Sequence, residues 1–272
     1  MLNVLLTNDD GIEADGLQAM RAALADLEGV NLAVVAPDGN RSAMARSITT
    51  RRPLWVAEVP FADGSCGYAS DGTPVDCVRL ASLGLIEGFA PDLVVSGINH
   101  GANLGDDITY SGTVAAALEG VVLGIPAIAV SQQSRARALD FRYDGGFHFE
   151  LAASFVARLV ERIEDVPLPA TTLLNVNVPA GEPTGVEVTR IGKRIYEDEL
   201  KLEREEEGRR RYWIYGADPG FHDEPGTDLA AVAAGRVAVT PIHFDLTDRA
   251  GLKALEDFDL EALLEPVVRE GS

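Results

Sequence analysis

The chain has 272 residues, enough to bury a substantial core without disulfide or metal staples. Its 43 acidic residues against 23 basic ones give a net charge of −20. Such a surface repels duplex nucleic acid and anionic membranes, so polymer and membrane partners are disfavoured. The excess acid fits a solvated, salt-tolerant surface. Cys66 and Cys77 have neither disulfide nor metal-ligand spacing and read as reduced residues of a cytoplasmic protein. No stretch reads as a signal peptide, and no apolar run approaches ~18 residues.

Taken in chain order, the first element is an apolar run, Val4-Leu5-Leu6-Thr7, that ends in Asn8-Asp9-Asp10-Gly11. It reads as a buried strand. Residues 15–28 follow, with Leu17, Met20, Ala23, Leu24 and Leu27 at helical spacing. Gly29 closes the helix, and residues 31–37 form a second buried strand, which makes a βαβ unit and implies a parallel sheet. A polar loop, 38–47, leads into one or two strands over 48–59 and a short strand at 68–70. Thr73 with Pro74 is a helix-start signal, and that helix runs to about Ile86. Residues 91–97 are a third buried strand, followed by a long polar loop to Thr113. A small-residue helix over 113–123 leads into a strand over 126–131. An amphipathic helix over 147–164 and a strand over 171–178 follow.

After about residue 180 the pattern changes. Residues 186–196 and 210–216 read as strands flanking a highly charged segment, 197–209, as in a hairpin with a solvated tip. A last strand covers 237–244 and a helical tail 249–270. The chain is thus expected to be α/β, a doubly wound and mostly parallel sheet over 1–180 with flanking helices. A smaller part, 181–272, carries the hairpin and the tail.

In open α/β sheets, ligands bind beyond the carboxyl ends of the strands. Three such ends carry polar loops here: Asn8-Asp9-Asp10, Asn40-Arg41-Ser42 and Ser96-Gly97-Ile98-Asn99. Adjacent carboxylates repel, and more strongly as the local dielectric falls. A hard divalent cation would hold both ionised, whereas an Asx-turn and helix cap is the plainer account of the same residues. Asp9, Asp10, the Ser42 hydroxyl and the Asn99 amide oxygen make an all-oxygen set that suits Mg²⁺, Mn²⁺ or Ca²⁺ better than zinc. Ser111-Gly112-Thr113 opens a helix whose N–H groups could receive an anion, although such a triplet is usually just a cap. No dinucleotide fingerprint, P-loop or G-x-S-x-G elbow is present. Of the four histidines, His100 lies nearest these loops and reads as a hydrogen-bonded bystander.

Several ordered blocks carry a resemblance. They are Leu-Leu-Thr-Asn-Asp-Asp-Gly at 5–11, Val-Ala-Pro-Asp-Gly-Asn-Arg-Ser at 35–42, Asp-Gly-Thr-Pro-Val-Asp-Cys-Val at 71–78, Val-Val-Ser-Gly-Ile-Asn-His-Gly-Ala-Asn-Leu-Gly-Asp-Asp at 94–107 and Tyr-Ser-Gly-Thr-Val-Ala-Ala-Ala-Leu-Glu-Gly at 110–120. With Val-Thr-Pro-Ile-His-Phe-Asp-Leu-Thr-Asp at 239–248, the sequence closely resembles the SurE family of survival-protein nucleotidases along nearly its whole length. The resemblance implies a Rossmann-like core and an extended C-terminal hairpin. It also implies a homodimer that exchanges C-terminal segments, in some members paired into a tetramer. The implied activity is metal-dependent hydrolysis of nucleoside 5′- and 3′-monophosphates, with short polyphosphate a further substrate in some members. The implied metal ligands are Asp9, Asp10, Ser42 and Asn99, and the implied phosphate contacts are Asn40, Asn103, Ser111, Gly112 and Thr113. Where the family usually reads Arg-Ser-Gly-x-Ser, this chain has Arg41-Ser42-Ala43-Met44-Ala45. The reading from another class is a non-catalytic regulatory protein that binds a mononucleotide at the same sheet edge.

Overall fold

A computed structural model describes the chain except residues 140–145, 168, 170, 197–198, 215–219, 257 and 265–272. In order, the elements are β1 (Leu2–Thr7), α1 (Asp15–Ala25), β2 (Val30–Pro37), β3 (Val56–Pro60), β4 (Cys66–Ser70), α2 (Pro74–Ser82), β5 (Leu93–His100) and α3 (Gly112–Val122). Then come β6 (Ala127–Gln132), α4 (Glu150–Glu161), β7 (Thr172–Val178), β8 (Val186–Val188), β9 (Arg194–Ile195), β10 (Lys201–Glu206), β11 (Arg209–Trp213), β12 (Gly220–Phe221), α5 (Asp228–Ala233), β13 (Val237–His243) and α6 (Arg249–Glu256).

Among the described residues, nine strands form one sheet in the order β3-β4-β2-β1-β5-β6-β7-β13-β8. It is mostly parallel; β3 against β4 and β13 against β7 are the antiparallel pairs. The C-terminal strands β8 and β13 thus extend the sheet laid down by the first 178 residues. From β1 the chain turns to β2 on one side, and β5 later fills the other side. The crevice beyond β1 and β5 is therefore the switch point where such sheets take ligands.

The helices cover both faces. Leu17, Met20 and Leu24 of α1 pack with Val156 of α4 against Val4, Leu6 and Val95 on one face. Val78 of α2 and Val114 and Ala117 of α3 pack against Leu5, Val35 and Val94 on the other. Each fully buried Leu or Val contributes about 1.5–3 kcal/mol of transfer free energy. The strand residues alternate between these two clusters, which explains why β1 and β5 read as continuous apolar runs. Gly16 lets α1 dock close to the end of β5, since a Cβ there would lie 2.1 Å from the Ile98 carbonyl oxygen.

Local signals held where side chains cap backbone. Thr73 and Asp76 form a full capping box with Pro74 in the first turn of α2. Elsewhere some expectations are narrowed and one shifts. Within 48–59 only Val56–Pro60 is strand; residues 41–54 run without a ladder and are tied down by side chains instead. The hairpin arms are β10 and β11, so the charged segment supplies one arm rather than a loop between 186–196 and 210–216. The physical reason is cross-strand charge pairing, Arg210 with Glu205 and Arg211 with Glu203, closed by a tight turn at Glu207 and Gly208, both at positive φ. The tail expected over 249–270 is α6 followed by a short 3-10 turn, Glu261–Leu264; its last residues lie outside those described.

Candidate metal and phosphate site

Three loops and one helix meet beyond the ends of β1 and β5. Asp9 and Asp10 leave β1 and are buried, at 3% and 9% exposure. Asn8 makes the turn, accepting from the Gly11 N–H and donating to the Gly11 carbonyl. Asp10 is held from both sides: the His100 backbone N–H donates to Oδ2 at 3.0 Å, and Asn40 Nδ2 donates to Oδ1 at 3.2 Å. Asn40 in turn accepts from the Ser42 N–H at 2.9 Å, and the Arg41 N–H donates to the Asp9 carbonyl at 2.6 Å. The turn bearing Ser42 is thus stitched to both aspartates.

Asp9 sits at the N-terminus of α3. Thr113 Oγ1 donates to its Oδ1 at 2.5 Å, and the Thr113 backbone N–H faces the same carboxylate. Only glycine fits at 112, where a Cβ would lie 2.7 Å from Asp9 Cβ and 2.8 Å from Oδ2. Burial, and next the negative charge of Asp10, push Asp9 up to about 6, although the Thr113 hydrogen bonds pull it down. Such a buried acidic pair is stabilised by a cation.

The donor chemistry fits a hard divalent ion. Among the described residues no group of three or more His, Cys, Asp and Glu side chains is placed to hold a metal ion, and the sequence candidates that would join the two carboxylates, Ser42 and Asn99, carry neutral oxygens. Asn99 donates its Nδ2 to the Gly101 carbonyl at 2.8 Å, which leaves Oδ1 as the atom it could offer a cation. The exposed Ser42 hydroxyl is on the same stitched turn as Asn40. That all-oxygen set suits Mg²⁺, Mn²⁺ or Ca²⁺.

Of the remaining sequence candidates, three open α3 and one, Asn103, lies in the loop before it. Ser111 caps the helix, its Oγ accepting from the Val114 N–H at 3.1 Å, which leaves its proton to donate outward. Gly112 opens the first turn, where backbone N–H groups have no intrahelical partner. Thr113 is turned onto Asp9. Asn103 is buried; its Nδ2 donates to Ser131 Oγ at 2.8 Å and its main chain is clamped by β7. Asn177 accepts from the Asn103 N–H at 2.8 Å, and both Asn175 and Asn177 donate to its carbonyl at 3.0 Å. Sequence reasoning missed this clamp. Its signal was present: two amides at a period of two inside a buried strand must share a face.

His100 is more than a bystander in position, since its N–H holds Asp10 and its Nδ1 lies 3.8 Å from Asp10 Oδ2. Its ring stacks with Phe147 and Phe149 at 5.1 and 5.0 Å between centroids. The loop from β5 to α3 also has a distal anchor. Asp228 accepts from the Gly105 and Gly192 N–H groups at 2.9 and 2.8 Å. Asp107 is gripped by the Arg194 guanidinium at 2.6 Å and the Tyr196 hydroxyl at 2.7 Å.

The chain matches a family model described as survival protein SurE over residues 4–198. It is 54% identical over 269 residues to a 5'-nucleotidase SurE of Rubrobacter xylanophilus, covering 97% of this chain and 99% of that protein. It is 48% identical to a 5'-nucleotidase SurE of Chloroflexus aggregans, covering 95% and 99%. Among solved structures it is similar to a SurE protein from Aquifex aeolicus, with a TM-score of 0.77 and 41% identity, over 94% of this chain and 100% of that one.

Proposed function

The chain belongs to the survival protein SurE family, and from that premise we propose how its own residues carry a 5′-nucleotidase activity. The protein is a metal-dependent phosphoric monoester hydrolase that takes nucleoside monophosphates to nucleoside and phosphate. The observation that carries the assignment of residues is the buried, adjacent Asp9 and Asp10 pair at the N-terminus of α3. A regulatory protein that merely binds a mononucleotide has no use for two adjacent buried carboxylates beside an anionic ligand, so that reading is not favoured.

Asp9, Asp10, the Ser42 hydroxyl and the Asn99 oxygen would hold one divalent ion, Mg²⁺ or Mn²⁺, with Ca²⁺ fitting the same oxygens. When bound, that ion supplies Lewis-acid polarisation of a phosphoryl oxygen and neutralises charge beside it. Asp9 and Asp10 are the catalytic pair, and Thr113 and the His100 N–H fix their orientations. The Ser111 hydroxyl, the N–H at Gly112, and the amides of Asn40 and Asn103 are the phosphate contacts in this reading, together with Thr113, whose N–H and hydroxyl also face Asp9. They stabilise charge on the equatorial oxygens, where most of the catalysis of phosphoryl transfer arises.

Nucleoside 3′-monophosphates and short polyphosphate present the same terminal phosphoryl group and belong to the proposed substrate range. The protein works as a homodimer joined through its C-terminal segment, or as a pair of such dimers. Exposed Leu202, Tyr212 and Trp213 on the hairpin and Leu252, Leu255 and Phe258 near α6 support that association. Among the described residues no helix is long and apolar enough to cross a membrane, and a cytoplasmic site of action is proposed. The test is a panel of nucleoside monophosphates against Mg²⁺, Mn²⁺ and Ca²⁺, scored for released phosphate. Release that EDTA abolishes is expected; release untouched by EDTA would overturn the metal-dependent reading.

A further inference from the structure

Glu119 of α3 is a buried carboxylate, 1% exposed, and two guanidiniums grip it from different directions. Arg46 Nη2 lies 2.6 Å from Oε2, and Arg79 Nη2 of α2 lies 2.6 Å from Oε1. Arg79 joins two helices. Arg46 is different, because it stands four residues beyond Ser42 on the turn that faces the two aspartates.

That turn lacks a strand ladder, and it passes through Ala43 and Ala45 at φ +58° and +51°, a region that L side chains disfavour. Its near side is stitched by the Arg41 N–H to the Asp9 carbonyl. On its far side the Ala45 N–H reaches the Tyr110 carbonyl at 3.2 Å, and Arg46 then plunges to Glu119. Just beyond Arg46 the chain is pinned again, where Thr73 Oγ1 donates to the Ser47 carbonyl at 2.8 Å. The Arg46 guanidinium also lies over the Phe244 ring, 4.7 Å from its centroid, which holds the fork in place from above. Glu119 itself is on α3, the helix whose N-terminus seats Asp9. Arg46 therefore references the Ser42 turn to the same rigid helix that fixes Asp9.

We propose that Arg46 is a positioning residue for the metal site: its ion pair with Glu119 holds the strained Ser42 turn at the distance from Asp9 that the ion requires. The inference rests on the reading of Ser42 as a metal ligand. Outer partners of this kind typically change metal affinity about 10–100-fold when removed.

The test uses a comparison built into the fold, since Arg46 and Arg79 grip the same carboxylate but only one is on the turn. Mn²⁺ is titrated calorimetrically into the metal-stripped full chain, with no nucleotide present, and thermal midpoints are read alongside. Ser42→Ala examines the underlying reading, and weaker Mn²⁺ binding in it is expected. Arg46→Met should weaken Mn²⁺ about tenfold. Arg79→Met should lower the midpoint by as much or more and leave Mn²⁺ affinity unchanged. Arg46→Lys, which keeps the charge but not the planar fork, should fall between wild type and Arg46→Met. Equal losses of affinity in Arg46→Met and Arg79→Met, or none in Arg46→Met while Ser42→Ala binds weakly, would overturn the inference. Unchanged binding in Ser42→Ala would overturn the ligand reading on which it stands. If Arg46→Met does not fold, the comparison of Arg46→Lys with Arg79→Met decides in the same way.

Discussion

Thr113 and Asp9, 104 positions apart in the sequence, meet hydroxyl to carboxylate at 2.5 Å. The contact fixes an acidic side chain at a helix end that would otherwise be open to any anion. It also decides which of the two aspartates belongs to α3 and which to the β5 loop, where the His100 N–H holds Asp10.

Thr113→Val keeps the shape and removes the donor. A buried acceptor that loses its partner costs about 1–3 kcal/mol, so the midpoint of denaturant unfolding should fall correspondingly. Phosphate release should fall at least about tenfold, because Asp9 loses the group that orients it. Chemical denaturation and a phosphate assay on the one preparation check both.

The pH dependence has a definite sign. Burial and the charge of Asp10 raise Asp9 from 3.8 to about 6. A carboxyl that holds its proton more tightly when folded contributes stability that is fully present below its unfolded pKa and lost as pH rises through its folded one. The metal-free protein should therefore lose stability between pH of about 4 and about 6 on account of this group. The thermal midpoint of Asp9→Asn, taken relative to wild type, should rise across that window. Adding Mn²⁺ should raise the wild-type midpoint more above the window than below it, and scanning calorimetry over pH reads both trends.

Gly112→Ala separates helix propensity from site geometry. Alanine in a helix is favoured over glycine by about 1 kcal/mol, yet here its Cβ would lie 2.7 Å from Asp9 Cβ. Asp9 or the start of α3 must move. Loss of Mn²⁺ binding is expected with a fold retained by circular dichroism, and unchanged binding would show that Asp9 is not confined as described.

Arg194 and Asp107 form a buried ion pair, with side chains 0% and 6% exposed. Breaking such a pair from one side costs about 3–5 kcal/mol, because the remaining charge stays buried. Arg194→Met should lower the unfolding free energy by that order. Tyr196→Phe, which removes only the hydroxyl donated to Asp107, should cost about 1 kcal/mol. Urea unfolding of the two variants tests the ranking.

Much of this arrangement was legible in the residues themselves. Apolar runs bounded by turn residues marked β1, β2 and β5, and the polar tips they end in are the loops that the structure brings together. Thr73 and Ser111 announced their helices because capping is local chemistry. What escaped was set by distant partners. Nothing near residues 41–54 shows that they are tied to Glu119, Asp76 and Tyr110 instead of to a neighbouring strand. The 3-10 turn Gly105–Thr109 depends on Asp228, more than a hundred residues away. Likewise the sequence marks Thr113 as an anion donor, and only the fold brings its hydroxyl onto Asp9.

The proposed chemistry needs a divalent ion held between the tips of β1, β2 and β5. Anomalous diffraction from crystals soaked in Mn²⁺, collected near the manganese edge, tests it most directly. A peak within coordinating distance of Asp9, Asp10, Ser42 and Asn99 is the predicted result. A saturated soak with no peak there, or with the peak elsewhere in the chain, would contradict it.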